Sequence, residues 1–144
     1  MLRHSIGFAV LSAMMILAGC SQKSWQATTY PAKGKLFVNG EPATNVVVSF
    51  LPKESAVDSR MSMPWGIVDE NGVYVLTTYS THDGAPPGKY LVTLRWPSTP
   101  SSADDRFNEA YFTPDRSVAT VVIEKSPNEI ADINLNGIKV LPAK

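Results

Sequence analysis

Beyond residue 31, the hydrophobic positions of this chain fall into short stretches bounded by glycine, proline, asparagine and aspartate. These stretches are rich in β-branched and aromatic residues, a composition that is typical of β-strands, and hardly any helical periodicity is present. We therefore predict short strands separated by turns. The predicted strands are residues 35–38, 44–51, 65–68, 73–78, 89–96, 117–124 and 129–135.

The stretch of residues 89–96 alternates most clearly, with Tyr90, Val92 and either Leu94 or Trp96 on one face. Short strands with turns about every 8–12 residues indicate an antiparallel β-sandwich, prealbumin-like or immunoglobulin-like. We expect about seven strands, within a range of six to eight. No internal repeat or second domain is visible, so a single all-β domain is predicted.

Three turn motifs separate the predicted strands. Asn39-Gly40 predicts a two-residue hairpin, because both residue types tolerate a positive φ. Asp69 and Asn71 predict a capped tight turn between paired strands. Residues 84–88, with two consecutive prolines, predict a rigid corner at which the next strand changes sheets.

The remaining segments of the predicted domain are expected to be irregular. Residues 53–63 and 97–113 are polar and predict two long loops. Within the second loop, residues 106–112 are compatible with one helical turn. Residues 137–144 are expected to pair briefly at a sheet edge or to fray.

The first apolar run of the chain differs from the strands. It covers residues 6–17, after a short positive start at Arg3 and His4. It is too short to span the ~30 Å hydrocarbon core, which needs ~20 residues, and is typical of a secretory signal peptide. An ordinary signal peptide and a cytosolic helix with a buried cysteine are the alternative interpretations.

The run ends in Leu17-Ala18-Gly19-Cys20, which resembles the lipobox of bacterial lipoproteins. This resemblance implies that residues 1–19 are removed and that Cys20 carries diacylglycerol through a thioether. Residues 20–31 are then a lipidated tether, and residues 32–144 form the domain. Ser21 is not the aspartate that is associated with inner-membrane retention in enterobacterial lipoproteins, so an outer-membrane location facing the periplasm or the exterior is expected.

The charges of the chain limit its partners. Its 13 basic and 13 acidic residues are balanced and interspersed. This balance lacks the basic stripe that nucleic-acid binding requires, and it also lacks a polybasic membrane patch. Membrane contact is therefore expected only through the lipid, and stable anchoring needs more than one acyl chain. Because Cys20 is the single cysteine, no disulfide is expected.

Four motifs follow one another in the predicted domain. They are Gly34-x-x-x-Val38-Asn39-Gly40-x-Pro42, Val46-x-Val48-x-Phe50, Val68-Asp69-x-Asn71-Gly72-x-Tyr74-x-Leu76-Thr77-Thr78 and Gly84-Ala85-Pro86-Pro87-Gly88-Lys89-Tyr90-x-Val92-Thr93. Their order resembles carboxypeptidase regulatory-like domains, which are prealbumin-like β-sandwiches, and above all the short lipoprotein versions of planctomycete-type bacteria. The resemblance covers residues 31–135. It implies a structural or adhesive accessory domain without catalysis.

Catalytic chemistry has little support in the sequence. Ser80, His82 and Asp83 are too close together to be interpreted as a catalytic triad without geometry, and His82 is the one histidine after residue 19. Prealbumin-like sandwiches include hydroxyisourate hydrolases, which use several histidines and end in Tyr-Arg-Gly-Ser; this chain lacks both features. We therefore predict that the protein is not an enzyme and uses no cofactor.

Metal binding is likewise not expected. One histidine and no free cysteine leave no zinc or copper site. Asp69 with Asn71, and Asp104 with Asp105, supply the oxygen ligands that calcium prefers. Turn capping and solvation explain both groups, and calcium binding at either loop is left open.

The candidate ligand-binding residues are Trp25, Trp65, Trp96 and Tyr79. Together they would form a stacking platform for sugar rings, and a carbohydrate-binding module is therefore the alternative function. Trp65 and Trp96 lie in or beside predicted strands, where large aromatic side chains usually fill a core, so core packing is the favoured interpretation for these two. Trp25, in the tether, is then the more exposed candidate.

Two surfaces are candidates for binding a protein partner. One is the loop of residues 103–114, although a solvated connection with weak ion pairs is the favoured interpretation there. The other is an unpaired strand edge. The prediction as a whole is a lipid-anchored, non-enzymatic β-sandwich of the bacterial cell envelope. It would act as a structural or protein-interaction module, with an envelope protein or a glycan as its partner.

Overall fold

The computed structural model describes residues 22–144, and this part of the chain is nearly all β. It forms nine short strands and one 3₁₀ helix, and residues 22–144 contain no α-helix. The all-β prediction is confirmed, whereas the count of seven strands stays unconfirmed, because β2 and β8 have only two residues each. The strands are β1 (Ala32–Val38), β2 (Glu41–Pro42), β3 (Val47–Pro52), β4 (Trp65–Ile67), β5 (Val73–Val75), β6 (Gly88–Arg95), β7 (Ala119–Ile123), β8 (Asn128–Glu129) and β9 (Ile133–Leu135), and the 3₁₀ helix is Pro114–Arg116.

β1 is the central strand of a five-stranded sheet. Lys33 pairs with Val75 of β5 on one edge and with Glu129 of β8 on the other. β2 and β5 run antiparallel to β1, but β8 and β9 run parallel to it. The predicted antiparallel arrangement therefore does not extend to β8 and β9. Parallel pairing needs a long crossover connection. The chain between β1 and β8, which includes all four strands of the second sheet, supplies it.

The second sheet has four strands in the order β4-β3-β6-β7, and all of its neighbouring pairs are antiparallel. Tyr90, Val92 and Leu94 of β6 are buried, which confirms the predicted inward face of this strand. Trp96, the other candidate for the last inward position, is only partly buried. The chain passes from β5 in the first sheet to β6 in the second, so the predicted change of sheets is also confirmed.

The hydrophobic core combines inward side chains from both sheets. Phe50 of β3 links them, because its ring centroid lies 6.4 Å from that of Tyr74 on β5 and 5.9 Å from that of Tyr90 on β6. Leu36 of β1 is fully buried in the same cluster. Burying a side chain of this kind contributes about 1.5–3 kcal/mol to folding. Two sheets around one such core are consistent with the predicted β-sandwich.

The Asn39-Gly40 hairpin is confirmed. The φ angles of Asn39 and Gly40 are 53° and 83°, and two consecutive positive values are those of a type I′ turn. The turn at Asp69 is also formed: the Asp69 carboxylate accepts hydrogen bonds from the N–H groups of Asn71 (2.8 Å) and Val73 (2.9 Å). However, β4 before this turn pairs with β3 and β5 after it pairs with β1, so the prediction of directly paired strands is wrong over most of their length.

β4 and β5 approach each other closely before they separate into the two sheets. Trp65 and Thr77 exchange two backbone hydrogen bonds, of 3.0 Å and 2.8 Å. Gly66 allows the approach, because a Cβ at this position would lie 2.8 Å from the carbonyl oxygen of Val75. Residue 66 is therefore the one inward position of β4, and it has no side chain to bury.

The two predicted long loops contain no strand, and the C-terminal tail is attached to the second of them. Residues 106–112 form consecutive turns. The N–H group of Leu141 donates to the carbonyl oxygen of Arg106 (2.9 Å), and that of Lys144 donates to Ser98 Oγ (3.0 Å). Ile138 packs against the core. The tail therefore neither frays nor adds a strand, contrary to the prediction.

Candidate functional site

Two predictions concern residues that precede Gln22, the first residue described. They are the lipidation of Cys20 and the removal of residues 1–19, and both stay predictions. From Gln22 onward, no helix combines the length and the apolar character needed to cross a membrane.

The predicted tether contacts the domain at Trp25. We call the four side chains involved the N-terminal cluster: Trp25, Asp58, Arg60 and Tyr79. The rings of Trp25 and Tyr79 meet edge to face, with their centroids 5.5 Å apart. The guanidinium carbon of Arg60 lies 4.1 Å from the centroid of the Trp25 ring, a cation–π contact worth about 0.5–1 kcal/mol at an exposed site. Two aromatic contacts thus hold Trp25 against the domain.

Hydrogen bonds connect the rest of the N-terminal cluster. The Tyr79 hydroxyl donates to the Asp58 carboxylate (2.7 Å) and accepts from the N–H group of Ala27 (3.1 Å). The carboxylate also accepts from the N–H groups of Arg60 (2.8 Å) and Ser62 (3.1 Å). Asp58 therefore shapes the loop that presents Arg60, and Tyr79 joins that loop to the tether.

The ionisation of the cluster follows from these bonds. Partial burial alone would raise the pKa of Asp58, but the hydrogen bonds from Tyr79, Ser62 and Arg60 outweigh it and lower the pKa to about 2. Partial burial, followed by the hydrogen bond to Asp58, raises the pKa of Tyr79 to about 12. Asp58 is thus charged and Tyr79 neutral across the ordinary pH range.

The tether contacts the domain a second time, at Tyr30. Tyr30 and Ala85 exchange two backbone hydrogen bonds, of 2.9 Å and 3.0 Å. Gly84 makes room for this contact, because its φ is 89° and a Cβ there would overlap the carbonyl group of Tyr30. The polar composition of the tether does not predict this contact, and Gly84, in the predicted corner, is a sequence feature compatible with a close approach.

The two strand tryptophans have different environments. Trp65 is 43% exposed, so the prediction of core packing is wrong for this residue. The reason is that Gly66 takes the inward position of β4, which leaves its neighbours pointing outward. Trp96 is partly buried and packs against the core, as predicted. Its ring centroid lies 5.3 Å from that of Phe107, and the guanidinium carbon of Arg106 lies 4.4 Å from the centroid of the Trp96 ring.

The four candidate aromatic residues do not form a common platform. Trp25 and Tyr79 are neighbours, but their rings are inclined at 87° and Arg60 covers Trp25. Trp96 belongs to a separate cluster with Phe107. Of the four, Trp65 is the most exposed, at 43%, whereas Trp25, which was expected to be the more exposed candidate, is partly buried. Parallel stacking of a sugar chain along several rings therefore has no geometric basis here.

The loop that contains His82 is held together by Asp83. The Asp83 carboxylate accepts hydrogen bonds from the N–H groups of Thr78 (2.7 Å), Tyr79 (3.0 Å) and Ser80 (3.0 Å). His82 is exposed, with a φ of 59°. Asp83 thus acts on the backbone, and in residues 22–144 no hydrogen bond joins it to the imidazole of His82.

Asp104 and Asp105, the second candidate calcium loop, also accept hydrogen bonds from backbone groups. The Asp105 carboxylate accepts from the N–H groups of Trp96 (2.8 Å), Phe107 (3.0 Å) and Glu109 (3.1 Å). Asp104 is bonded to Ser98, and hydrogen bonds from Ser102 and Ser98 lower its pKa to about 2. In the part of the chain that the structure describes, no group of three or more histidine, cysteine or acidic residues is arranged to hold a metal ion.

The structure shows an exposed feature that the sequence analysis missed. Met61, Met63, Trp65 and Ile67 have exposed fractions of 75%, 53%, 43% and 50%, whereas the residues between them are less exposed. We call these four side chains the apolar stripe. Their alternation is visible in the sequence, but the prediction of a loop at residues 53–63 separated the two methionines from the strand that continues the pattern.

Comparison with known proteins does not assign this chain to a family. No protein-family model matches the sequence, and no curated protein matches it either. The all-β architecture therefore rests on the structure, and the resemblance to carboxypeptidase regulatory-like domains stays a prediction.

Proposed function

We propose that this protein is a lipid-anchored, non-enzymatic module of the bacterial cell envelope. In this proposal the domain is a prealbumin-like sandwich related to carboxypeptidase regulatory-like domains. It acts as a structural or protein-interaction module, at the outer membrane on the argument from Ser21. The two-sheet all-β fold supports the domain assignment without identifying the partner.

The observation that carries the proposal is the attachment of the tether to the domain. Trp25 is held by the N-terminal cluster and Tyr30 by Ala85, so the chain is fixed from Trp25 onward. A chain rises at most about 3.6 Å per residue, so a lipid on Cys20 would lie within about 18 Å of Trp25. Such an anchor would hold the domain close to the membrane with a restricted orientation. That arrangement suits a module that presents one chosen surface to a partner.

The acidic residues further support a non-enzymatic role. Asp69, Asp83 and Asp105, which a hydrolytic or calcium site would use, instead accept hydrogen bonds from backbone N–H groups. Their lone pairs stabilise loops, which is a structural function. The carbohydrate-binding alternative has the exposed Trp65 in its favour, but within residues 22–144 no second aromatic ring is paired with it.

The anchor is tested by replacing its attachment point in the full-length chain. Cells expressing the wild type and Cys20→Ser are fed an alkyne-labelled fatty acid, and the label and the membrane fraction are compared after carbonate washing. We expect the wild type to carry label and stay with the membranes, because two or more acyl chains anchor stably. Cys20→Ser should lose both properties. A Trp25→Ala variant, with Cys20 intact, serves as the control and should keep its label. Unlabelled wild type, or a Cys20→Ser variant that stays on the membrane unchanged, would contradict the anchor.

A further inference from the structure

We infer that the apolar stripe is a membrane-contacting surface that rests on the lipid headgroup region of the bilayer in which the chain is anchored. This inference depends on the proposed lipid at Cys20 and extends it from an attachment point to a defined orientation of the domain. It also revises the expectation that the lipid alone touches the membrane.

The apolar stripe is strongly exposed. Each of its four large apolar side chains is at least 43% exposed, and two of them, Trp65 and Ile67, are alternate positions of β4 at the edge of the second sheet. Scattered exposed apolar residues are normal in soluble proteins, but a contiguous row is typical of an interaction surface. Tryptophan prefers the membrane–water interface, where its ring is in an apolar layer and its N–H group finds a polar partner.

The apolar stripe lies beside the predicted anchor. Arg60, which stacks on Trp25, immediately precedes Met61. Further along the stripe, the backbone of Trp65 is bonded to Thr77, two residues before the Tyr79 ring that packs on Trp25. Two separate connections therefore lead from the tether to the stripe. Because Cys20 is within about 18 Å of Trp25 along the chain, its acyl chains would bring this face of the domain to the bilayer.

The segment that contains the apolar stripe carries little charge. Between Asp58 and Asp69 the chain carries no acidic residue and one basic residue, Arg60. The side chain of Asp58 itself is bonded to Tyr79 in the N-terminal cluster. On the adjoining strand, Ser49 lies opposite Trp65 and Val47 opposite Ile67, and both are uncharged. A surface of this composition can approach phosphate-containing headgroups without like-charge repulsion, and Arg60 is attracted to them.

A protein partner fits the same surface less well. Trp65, the first residue of the three-residue edge strand β4, already uses its backbone N–H and C=O groups to bind Thr77, so a partner strand cannot pair there. Four side chains are also few compared with the roughly 20–30 residues that each partner contributes to a stable protein interface. They are sufficient to orient a domain that is already tethered by lipid.

The test uses the acylated full-length chain in vesicles of phosphatidylethanolamine and phosphatidylglycerol. Ile67→Cys is labelled with an environment-sensitive fluorophore, and Val122→Cys is labelled in the same way as the matched control. Both are exposed aliphatic positions of the second sheet, at 50% and 52%, but they are on its opposite edge strands, β4 and β7. Because Cys20 is expected to be acylated, the introduced thiol is the one that reacts. Lipids brominated near the headgroup then report contact through quenching.

We expect several-fold stronger quenching of the label at Ile67→Cys than of the label at Val122→Cys. Adding Met63→Asp to Ile67→Cys should abolish this difference while the incorporation of fatty acid at Cys20 and the β-sheet circular dichroism stay unchanged. Equal and weak quenching at both positions in acylated, vesicle-bound protein would overturn the inference and leave the anchor standing. Absence of acylation would overturn both. A fluorescence change at Ile67→Cys that follows protein concentration, or an added glycan, without lipid would show that a second copy or a sugar is the occupant, and would also overturn the inference.

Discussion

Tyr74 and Tyr90 have similarly buried rings, but their hydroxyl groups differ in hydrogen bonding. Both rings are fully buried against Phe50. The Tyr90 hydroxyl donates to the carbonyl oxygen of Pro86 at 2.7 Å. The Tyr74 hydroxyl has no hydrogen-bond partner within residues 22–144. A buried polar group without a partner is destabilising, whereas a partnered one is about neutral or favourable.

Replacing each tyrosine by phenylalanine should therefore have opposite effects. Tyr74→Phe removes an unpaired hydroxyl, and we expect the free energy of unfolding to be unchanged or raised. Tyr90→Phe leaves the Pro86 carbonyl without its donor, and we expect a loss of about 1 kcal/mol or more. Urea unfolding of the two variants and the wild type measures the difference. An equal loss in both variants would mean that the Tyr74 hydroxyl has a partner in solution.

At the scale of single residues, the sequence predicts whether a side chain points inward or outward, but it does not predict the hydrogen-bond partner of a hydroxyl group. The alternation along residues 89–96 predicts that Tyr90 points inward. The acceptor for Tyr90 is a carbonyl four residues earlier, and its position depends on the conformation of the corner at residues 84–88. Hydrophobic patterning contains no information about that conformation.

At the scale of elements, the tether and the corner at Gly84 depend on each other. Gly84 has a positive φ, and the tether passes directly over it at Tyr30. Gly40 also has a positive φ, but a Cβ there would meet no atom within 4 Å. Both glycines therefore need a positive φ, but only Gly84 lies against another part of the chain, at Tyr30.

Gly84→Ala should destabilise the protein more than Gly40→Ala. Both variants bear the strain of a left-handed residue, about 1 kcal/mol, and Gly84→Ala must in addition displace Tyr30. We expect the amide protons of Ala27 and Tyr30 to exchange faster in Gly84→Ala and at the wild-type rate in Gly40→Ala. Hydrogen exchange measured by mass spectrometry on the peptide covering residues 22–31 checks this. Unchanged protection in Gly84→Ala would show that the tether contacts the domain without the Ala85 pairing.

The tether was the element that sequence reasoning described least well. Its polar composition is that of a linker, whereas its contacts come from Arg60, Tyr79 and Ala85, more than thirty residues away along the chain. Strand pairing also depends on distant residues. β4 and β5 are neighbours in sequence but pair with β3 and β1 in different sheets, and Gly66 permits their close approach. Local patterns predicted the elements, while long-range contacts selected their partners.

At the scale of the whole molecule, the titrating groups predict a broad range of pH stability with two limits. On the alkaline side, burial raises the pKa values of Tyr74 and Tyr90. Above about pH 10 the unfolded chain releases these protons and the folded chain keeps them, so stability falls as the pH rises. On the acidic side, Asp58 and Asp104 have pKa values of about 2, so the unfolded chain binds protons first as the pH drops below about 4.

We therefore expect the free energy of unfolding to be nearly constant between about pH 5 and pH 9 and to fall on both sides. The alkaline fall should be the steeper one, because the two tyrosines are buried while the two aspartates are largely solvated and screened. Chemical unfolding at a series of pH values measures the profile. Asp58→Asn should flatten part of the acidic fall and leave the contributions of Tyr74 and Tyr90 to the alkaline fall unchanged. An acidic fall that is the same in Asp58→Asn would show that this carboxylate does not contribute.

The sequence was sufficient to predict the all-β fold class, but the apolar stripe on the surface was not predicted. Short β-rich stretches between strong turns were enough to predict an all-β fold in two sheets. The apolar stripe was not predicted, because an edge strand whose inward residue is Gly66 reverses the usual expectation that a strand tryptophan is buried. The lipobox-like tetrapeptide at Leu17–Cys20 and this stripe belong to one proposal, but the structure was needed to place the stripe next to the tether.

The central position of β1 has a consequence for how the protein is made. Of the strands in residues 22–144, β1 is the first to leave the ribosome, yet one of its edges pairs with β8 and β9, the last two of these strands. Pairing over such a sequence distance raises the contact order and slows folding. Until residues 128–135 have been synthesised, that edge of β1 presents unpaired N–H and C=O groups, so the nascent chain depends on being kept apart from other chains up to that point.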